Sequence, residues 1–227
     1  MTTYNIKLRC ILAGAILLAV TSLVPLTSFA QQSGNQASGN KADASAMIGG
    51  MSRTELERIN KEGAAKVAAV TADKKALSQK DQTLFMEVAK GGMQQLMLSQ
   101  MAVQKASNDQ IRQIAQAEVE EQNGLAAKLT EIASAKGVSL PREIDSQTQE
   151  MLTQLSKLTG NEVDRFYIQE SGVNDHEKLD KVMSMVESEA SDSNLKSLAA
   201  AAHPLVRTHL KVSREVLNSM SNPVGNK

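Results

Sequence analysis

The sequence predicts an all-α protein whose main domain is a four-helix bundle with a short crossover helix. Over residues 77–220, apolar residues recur with the spacing of amphipathic helices, and no stretch alternates with the period of two that is typical of a strand. Capping residues and glycines divide this region into four long segments and one short one. Each long segment holds about 27 residues, which corresponds to about 40 Å of helix.

The first hairpin is predicted from two adjacent long helices. The first helix covers residues 78–106, because Ser78 with Asp81 three residues later resembles a capping box. The second helix covers residues 108–136 and ends at Gly137, a typical C-terminal stop. Along the first helix the predicted core stripe is Phe85, Ala89, Gly92, Leu96 and Val103.

The second hairpin follows a longer connection that carries a short helix over residues 145–158. Thr159-Gly160-Asn161 interrupts the chain, and the third long helix covers residues 162–190. Ser191-Asp192-Ser193 then caps the fourth, over residues 194–220. Two hairpins joined in this way describe a bundle with one crossover.

The N-terminus predicts export. Lys7 and Arg9 precede an apolar run over residues 11–26, and Ser28-Phe29-Ala30 offers the small residues that signal peptidase selects. Residues 1–30 are therefore expected to be a signal peptide, and the mature protein is expected in the periplasm, free or associated with the outer membrane. A single-span anchor is the alternative, although the run is shorter than a span of about 20 residues.

The mature chain excludes several classes of protein. The only cysteine of the sequence, Cys10, lies within the predicted signal peptide. The mature chain therefore has no cysteine, which excludes disulfides, zinc fingers and cysteine nucleophiles. The full chain has 25 basic and 25 acidic residues, and loss of Lys7 and Arg9 with the signal peptide leaves a net charge of −2, so nothing favours nucleic acid as a partner. Residues 31–76 are expected to be a flexible tether with a thin-faced, peripheral or frayed helix after Met51, and residues 221–227 a disordered tail.

Four stretches carry a family resemblance: "AKGGMQQLMLSQMAVQKASNDQIRQIAQ", "SAKGVSLP", "LTGNEVDRFYIQESGVNDHEK" and "HPLVRTHL". Together they resemble the exported bacterial domain-of-unknown-function family 4142. The resemblance implies a ferritin-like fold, a periplasmic or outer-membrane location and a role in stress tolerance, but no reaction. Many members carry Asp-His where this chain has Glu121-Gln122, so a histidine of the family is replaced by Gln122.

The helical phase predicts one polar layer in the bundle. His209 lies on the apolar seam of the fourth helix, whereas His203 falls off that seam and is expected near the surface. Glu118 and Gln122 interrupt the seam of the second helix, and His176 lies near the middle of the third. Each of these residues lies near the middle of its helix, or within two turns of it. Because the midpoints of neighbouring helices lie at the same level whether the helices run parallel or antiparallel, the four residues are expected to gather in one mid-bundle layer.

Two interpretations of this layer stay open. It is either a hydrogen-bonded layer that fixes helix register, or a transition-metal site formed by His176, His209 and Glu118, with Gln122 and Met93 adjacent. A ferritin-type di-iron centre is not expected, because the chain has no Glu-x-x-His, and a haem held by Met and His lacks aromatic lining.

The predicted function is that of an exported, non-enzymatic helical-bundle protein of the envelope with no resident cofactor. Copper, zinc or iron binding is the first alternative. The second is a helix-docking module, whose partner is an envelope protein and whose surface is the stripe Met86, Met93, Met97 and Met101. No catalytic motif is present.

Overall fold

The computed structural model describes residues 47–222. The predicted signal peptide, residues 31–46 of the predicted tether and residues 223–227 of the predicted tail lie outside the described residues. Two short strands come first, β1 (Met47–Ile48) and β2 (Met51–Ser52). The helices are α1 (Arg53–Ala68), α2 (Gln79–Lys105), α3 (Asp109–Lys136), α4 (Ser146–Lys157), α5 (Asn161–Tyr167), a π-helical segment (Ile168–Asp175), α6 (His176–Glu189) and α7 (Ser193–Ser221).

The described chain is an all-α helical bundle, as predicted. α2 packs on α3, and α6 packs on α7. α5, the π-helical segment and α6 follow one another without a break and together form the third long helix. α4 lies in the connection between the hairpins and packs on α2. The ferritin-like relationship stays a prediction.

The predicted helix ends agree with the caps. Ser78 Oγ accepts from the backbone N–H of Asp81 at 3.1 Å, and Asn108 Oδ1 accepts from the N–H of Gln110 at 2.8 Å. Gly137 ends α3 with φ of 69°, in the left-handed region that favours glycine. Local capping chemistry therefore decided where these helices begin and end.

Two apolar clusters fill the bundle, one toward each end. On α3, Ile111 and Ile114 belong to one cluster, and Leu125 and Leu129 belong to the other. On α7 the order is reversed, because the two helices run in opposite senses past the same layers. Between the clusters lies a layer of buried polar residues, which includes Glu118.

α1 is part of the packed bundle and not a peripheral or frayed helix. Leu56, Gly63 and Val67 are buried, and the helix packs on α3 and α7. A Cβ at Gly63 would lie 2.5 Å from Leu205 Cγ, so only glycine permits this close approach. The apolar face is thin because Gly63, between the buried side chains of Leu56 and Val67, contributes no side chain to it.

No strand lies within residues 77–220, as predicted, but two short strands lie in the segment that was predicted to be a tether. β1 and β2 form a two-residue antiparallel hairpin with Gly49 and Gly50 at its turn, at φ values of 50° and 75°. Two glycines with positive φ are typical of a tight hairpin turn. Strands of two residues each are too short to produce a visible alternation, so the glycine pair was the available signal.

The core stripe of α2 is only partly the predicted one. Phe85 and Ala89 are buried, but Gly92, Leu96 and Val103 are half-buried. The residues buried in the second half of α2 are Gln95, Leu98, Ser99 and Ala102. Polar residues occupy the core face here because the π-helical segment and Tyr167 supply their hydrogen-bond partners.

The predicted methionine surface is largely covered. Met97 is 36% exposed, whereas Met86, Met93 and Met101 are half-buried. Among the described residues, no helix is both long enough and apolar enough to cross a bilayer. Docking of a partner helix at the methionine stripe stays a prediction.

Candidate metal centre

Three buried residues from three helices meet in the polar layer. Glu118 is 0% exposed, and His176 and His209 are each 2% exposed. One ligand atom from each of the three lies within 4.8 Å of the others. His176 Nε2 lies 2.8 Å from Glu118 Oε1, and His209 Nδ1 is hydrogen-bonded to the same oxygen. The inner nitrogens of both rings therefore converge on one carboxylate oxygen.

The π-helical segment orients His176. His176 Nδ1 donates to the backbone carbonyl of Ser171 at 2.8 Å, which leaves Nε2 facing Glu118. Gln95 Nε2 donates to the same carbonyl at 3.1 Å, and Ser171 Oγ donates to Gln95 Oε1 at 2.6 Å. A π-helical turn shifts the backbone hydrogen-bond register and is frequent at functional sites.

α1 orients His209. His209 Nε2 donates to Asn60 Oδ1 at 2.8 Å, so the outer nitrogen of this ring is also held by an oxygen. Glu121 Oε2 lies 3.7 Å from the same nitrogen and has no hydrogen-bond partner, although the side chain is only 7% exposed. The contact to Asn60 explains why α1 must lie against the bundle for His209 to keep its orientation.

Gln122 completes the layer beside Glu118. Its Nε2 donates to Glu118 Oε2 at 3.4 Å, and its Oε1 is buried without a partner. Gly92 on α2 lies opposite that oxygen, and a Cβ there would be 3.0 Å from it. Met93 is half-buried and lines a neighbouring pocket together with Gln122.

The carboxylate and the two imidazoles of the layer each shift the pKa of the other toward the charged form. Burial alone would raise the pKa of Glu118, but the two imidazoles hold it well below its ordinary value. Burial would lower the pKa of both histidines, yet Glu118 raises that of His176, and Glu118 with Glu121 raises that of His209 to about 9. Burial raises the pKa of Glu121 to about 7. These shifts favour an ionised Glu118 carboxylate between two protonated imidazole rings.

An open cleft lies on the His209 side of the layer. This cleft, of about 740 Å³, lies between α1 and α3, and both Asn60 and Glu121 line it. These two side chains separate the cleft from His209. A smaller gap beside His209, lined by Leu56 and Ile114 among others, has no room for a water-sized molecule. The ring nitrogens of His209 therefore lie near the cleft, but the side chains of Asn60 and Glu121 shield them from solvent.

A family model described as "Domain of unknown function (DUF4142)" matches residues 66–216. The chain belongs to this family. The DUF4142 match includes Glu118, His176 and His209 but begins after Asn60. No curated protein and no solved structure is significantly similar to the chain.

The predicted orientation of His203 is wrong for this DUF4142 chain. His203 is 2% exposed and lies between Asp180 Oδ1, at 2.9 Å from Nε2, and Glu187 Oε1, at 3.0 Å from Nδ1. The single-seam reading of α7 failed because α7 is covered on several sides, by α1, α3, α6 and the π-helical segment. His203 and His209 nevertheless belong to separate clusters, as their phases predicted.

The donor set of the layer fits a divalent first-row metal. Two imidazoles and one carboxylate suit iron, zinc or manganese, and the outer nitrogen of each ring is held by an oxygen acceptor, as is usual for metal-bound histidines. Sequence reasoning placed Glu118, His176 and His209 in one layer, as the structure has them, but missed Asn60, Gln95 and Ser171. Asn60 gave no signal because its helix has a thin apolar face, and the role of Ser171 depends on its backbone carbonyl.

Proposed function

We propose that this DUF4142 protein is an exported, non-enzymatic helical bundle that binds one divalent first-row transition metal through Glu118, His176 and His209. The observation that carries the proposal is the convergence of both inner ring nitrogens on Glu118 Oε1. A metal ion bound there takes one nitrogen from each ring and an oxygen from the carboxylate. The outer nitrogens already have partners and need not rearrange.

The balance of charge supports the same proposal. In the metal-free layer, each imidazolium directs one proton at Glu118. A divalent cation that displaces both protons leaves the buried charge unchanged, so exchange of two protons for one ion avoids the cost of adding charge to a dry interior. Binding is therefore expected to release protons into the medium.

Binding, and not turnover, is the proposed activity because the donors are enclosed. The three side chains are at most 2% exposed, and the gap beside His209 cannot hold a water molecule. A substrate would need room at the metal, whereas storage or buffering of an ion needs only slow exchange with the cleft. Export is proposed from the predicted signal peptide, and cell fractionation with mass analysis of the mature N-terminus tests it.

The decisive experiment is elemental analysis of the full chain purified from the compartment in which it resides. We expect about one equivalent of iron, zinc, manganese or copper in the wild type. His176→Ala and His209→Ala should each lower the bound metal at least tenfold, because loss of one of three donors removes the site. His203→Ala is the matched control, since it deletes another buried histidine bonded to carboxylates, and should retain the metal.

A register-fixing polar layer is the second candidate, favoured by the same hydrogen bonds to Glu118. It predicts a wild-type protein without stoichiometric metal that also binds none when titrated with Zn²⁺, Mn²⁺ or anaerobic Fe²⁺. It further predicts that His209→Ala lowers the melting temperature and has no effect on metal content. That pair of results would end the metal proposal.

A further inference from the structure

A separate pocket lies between α2 and α3, on the side of Gln122 that faces Gly92. Its volume is about 240 Å³, and Pro141 from the α3–α4 connection helps to close it. The side chains around it are almost entirely apolar. They include Ala89, Met93, Leu96, Leu125, Leu129 and Pro141.

One polar atom in this pocket lacks a partner. Gln122 is 3% exposed, and its Oε1 accepts no hydrogen bond. The amide orientation is fixed because Nε2 donates to the Glu118 carboxylate at 3.4 Å. A Cβ at Gly92 would lie 3.0 Å from Oε1, so glycine is what allows α2 to pass this close to the acceptor without crowding it. Thr130, the other polar side chain of the lining, is already satisfied by donating to the carbonyl of Ala126 at 2.8 Å.

Size and polarity together define a ligand. Drug-sized pockets begin at about 300 Å³, whereas an apolar cavity of about 150 Å³ is enough to bind benzene. The volume here therefore suits a small ring system. A buried acceptor without a partner is unfavourable, and a ligand that donates one hydrogen bond relieves it, whereas a purely apolar ligand does not.

We propose that this pocket binds a one- or two-ring aromatic molecule that donates a single hydrogen bond to Gln122 Oε1. The apolar walls take the ring, and the lone acceptor selects phenol-like or indole-like molecules over hydrocarbons of the same shape. This site does not depend on a metal in the polar layer, because protein atoms alone form the acceptor and the cavity.

The test compares 4-methylphenol with para-xylene, which differ by a hydroxyl in place of a methyl group. Calorimetric titration of the wild type should show saturable binding of 4-methylphenol at one equivalent per chain. In Gln122→Leu, the ratio of the two dissociation constants should shift about fivefold in favour of para-xylene, the size of one hydrogen bond of about 1 kcal/mol.

A second pair of variants tests the pocket without altering the polar layer. Ala126 is exposed at the rim of the pocket, and Ala127, its exposed neighbour, does not line it. Ala126→Phe should weaken binding of 4-methylphenol at least tenfold, and Ala127→Phe should leave it unchanged. The proposal is overturned if the wild type binds neither ring, if Ala126→Phe binds as well as Ala127→Phe, or if a folded Gln122→Leu keeps the wild-type ratio.

Discussion

At the scale of single residues, Glu118 organises the layer, because both imidazoles donate to it and Gln122 donates to its second oxygen. Removing Glu118 would leave two buried, protonated imidazoles without a counter-charge, which is among the most destabilising changes in a protein interior. The same dependence makes the layer sensitive to pH in the absence of metal.

The pKa of His209, raised to about 9, predicts the direction of that sensitivity. A histidine whose folded pKa is raised contributes stability that is complete below its unfolded pKa of about 6.5. That stability is lost as pH rises through the folded value. Urea denaturation of the wild type in EDTA should therefore give a free energy of unfolding that falls between pH 6.5 and 9.5.

His209→Gln is the comparison for this prediction, since it keeps a polar side chain but cannot titrate. Its free energy of unfolding should be lower at pH 6.5 and should change less over the same range. Glu121, whose pKa is raised to about 7, also makes the free energy of unfolding fall as pH rises, but this effect is complete at a lower pH than that of His209. Equal slopes in the two proteins would show that His209 is not charged in the folded chain.

At the scale of elements, the π-helical segment brings α7 unusually close. A Cβ at Gly172 would lie 2.8 Å from Ser213 Oγ and 3.0 Å from Ile168 Cδ1. The segment thus needs glycine at its contact with α7, in the same turn that supplies the Ser171 carbonyl to His176.

Gly172→Ala should therefore destabilise the protein by about 1–3 kcal/mol, the usual cost of overpacking a buried contact. The reason is crowding and not helix propensity, so Ser213→Gly in the same chain should recover part of the loss.

Gly124→Ala on α3 is the matched control, because nothing lies within 4 Å of a Cβ there. Alanine at that position should stabilise by about 1 kcal/mol. Chemical denaturation measures all four proteins, and equal behaviour of Gly172→Ala and Gly124→Ala would contradict the close contact.

Sequence reasoning succeeded where local chemistry decides and failed where packing decides. Helix ends followed from caps such as Ser78 and Gly137, and the mid-bundle layer followed from helical phase. The burial of His203 depends on how many helices surround α7, which no single-helix pattern reports. The π-helical segment changes the backbone hydrogen bonding inside the predicted third helix, and α1 packs through Gly63, which has no side chain to mark its face.

At the scale of the whole molecule, α1 and the β-hairpin extend the bundle beyond the predicted domain boundary at residue 77. Ile48 is 2% exposed and belongs to the same apolar cluster as Leu56, and Asn60 holds His209. The N-terminal segment is therefore both a cover for the core and a support for the polar layer.

A chain that begins at residue 77 should accordingly be less stable than one that begins at residue 47. We expect a lower urea midpoint and a smaller m value, since less surface is buried on folding. Affinity for metal should fall at the same time, because His209 loses Asn60. A truncated chain with an unchanged midpoint would show that α1 contributes nothing to the bundle.

The position of the polar layer between two apolar clusters has a consequence for how the protein opens. Each cluster can form a cooperative unit of its own, and the layer is the seam at which the two units join. An ion bound as proposed would link α3, α6 and α7 at this layer and oppose separation of the two clusters. Amide hydrogen exchange at both ends of the bundle should therefore be slower with metal than without it, even for amides far from the ligands.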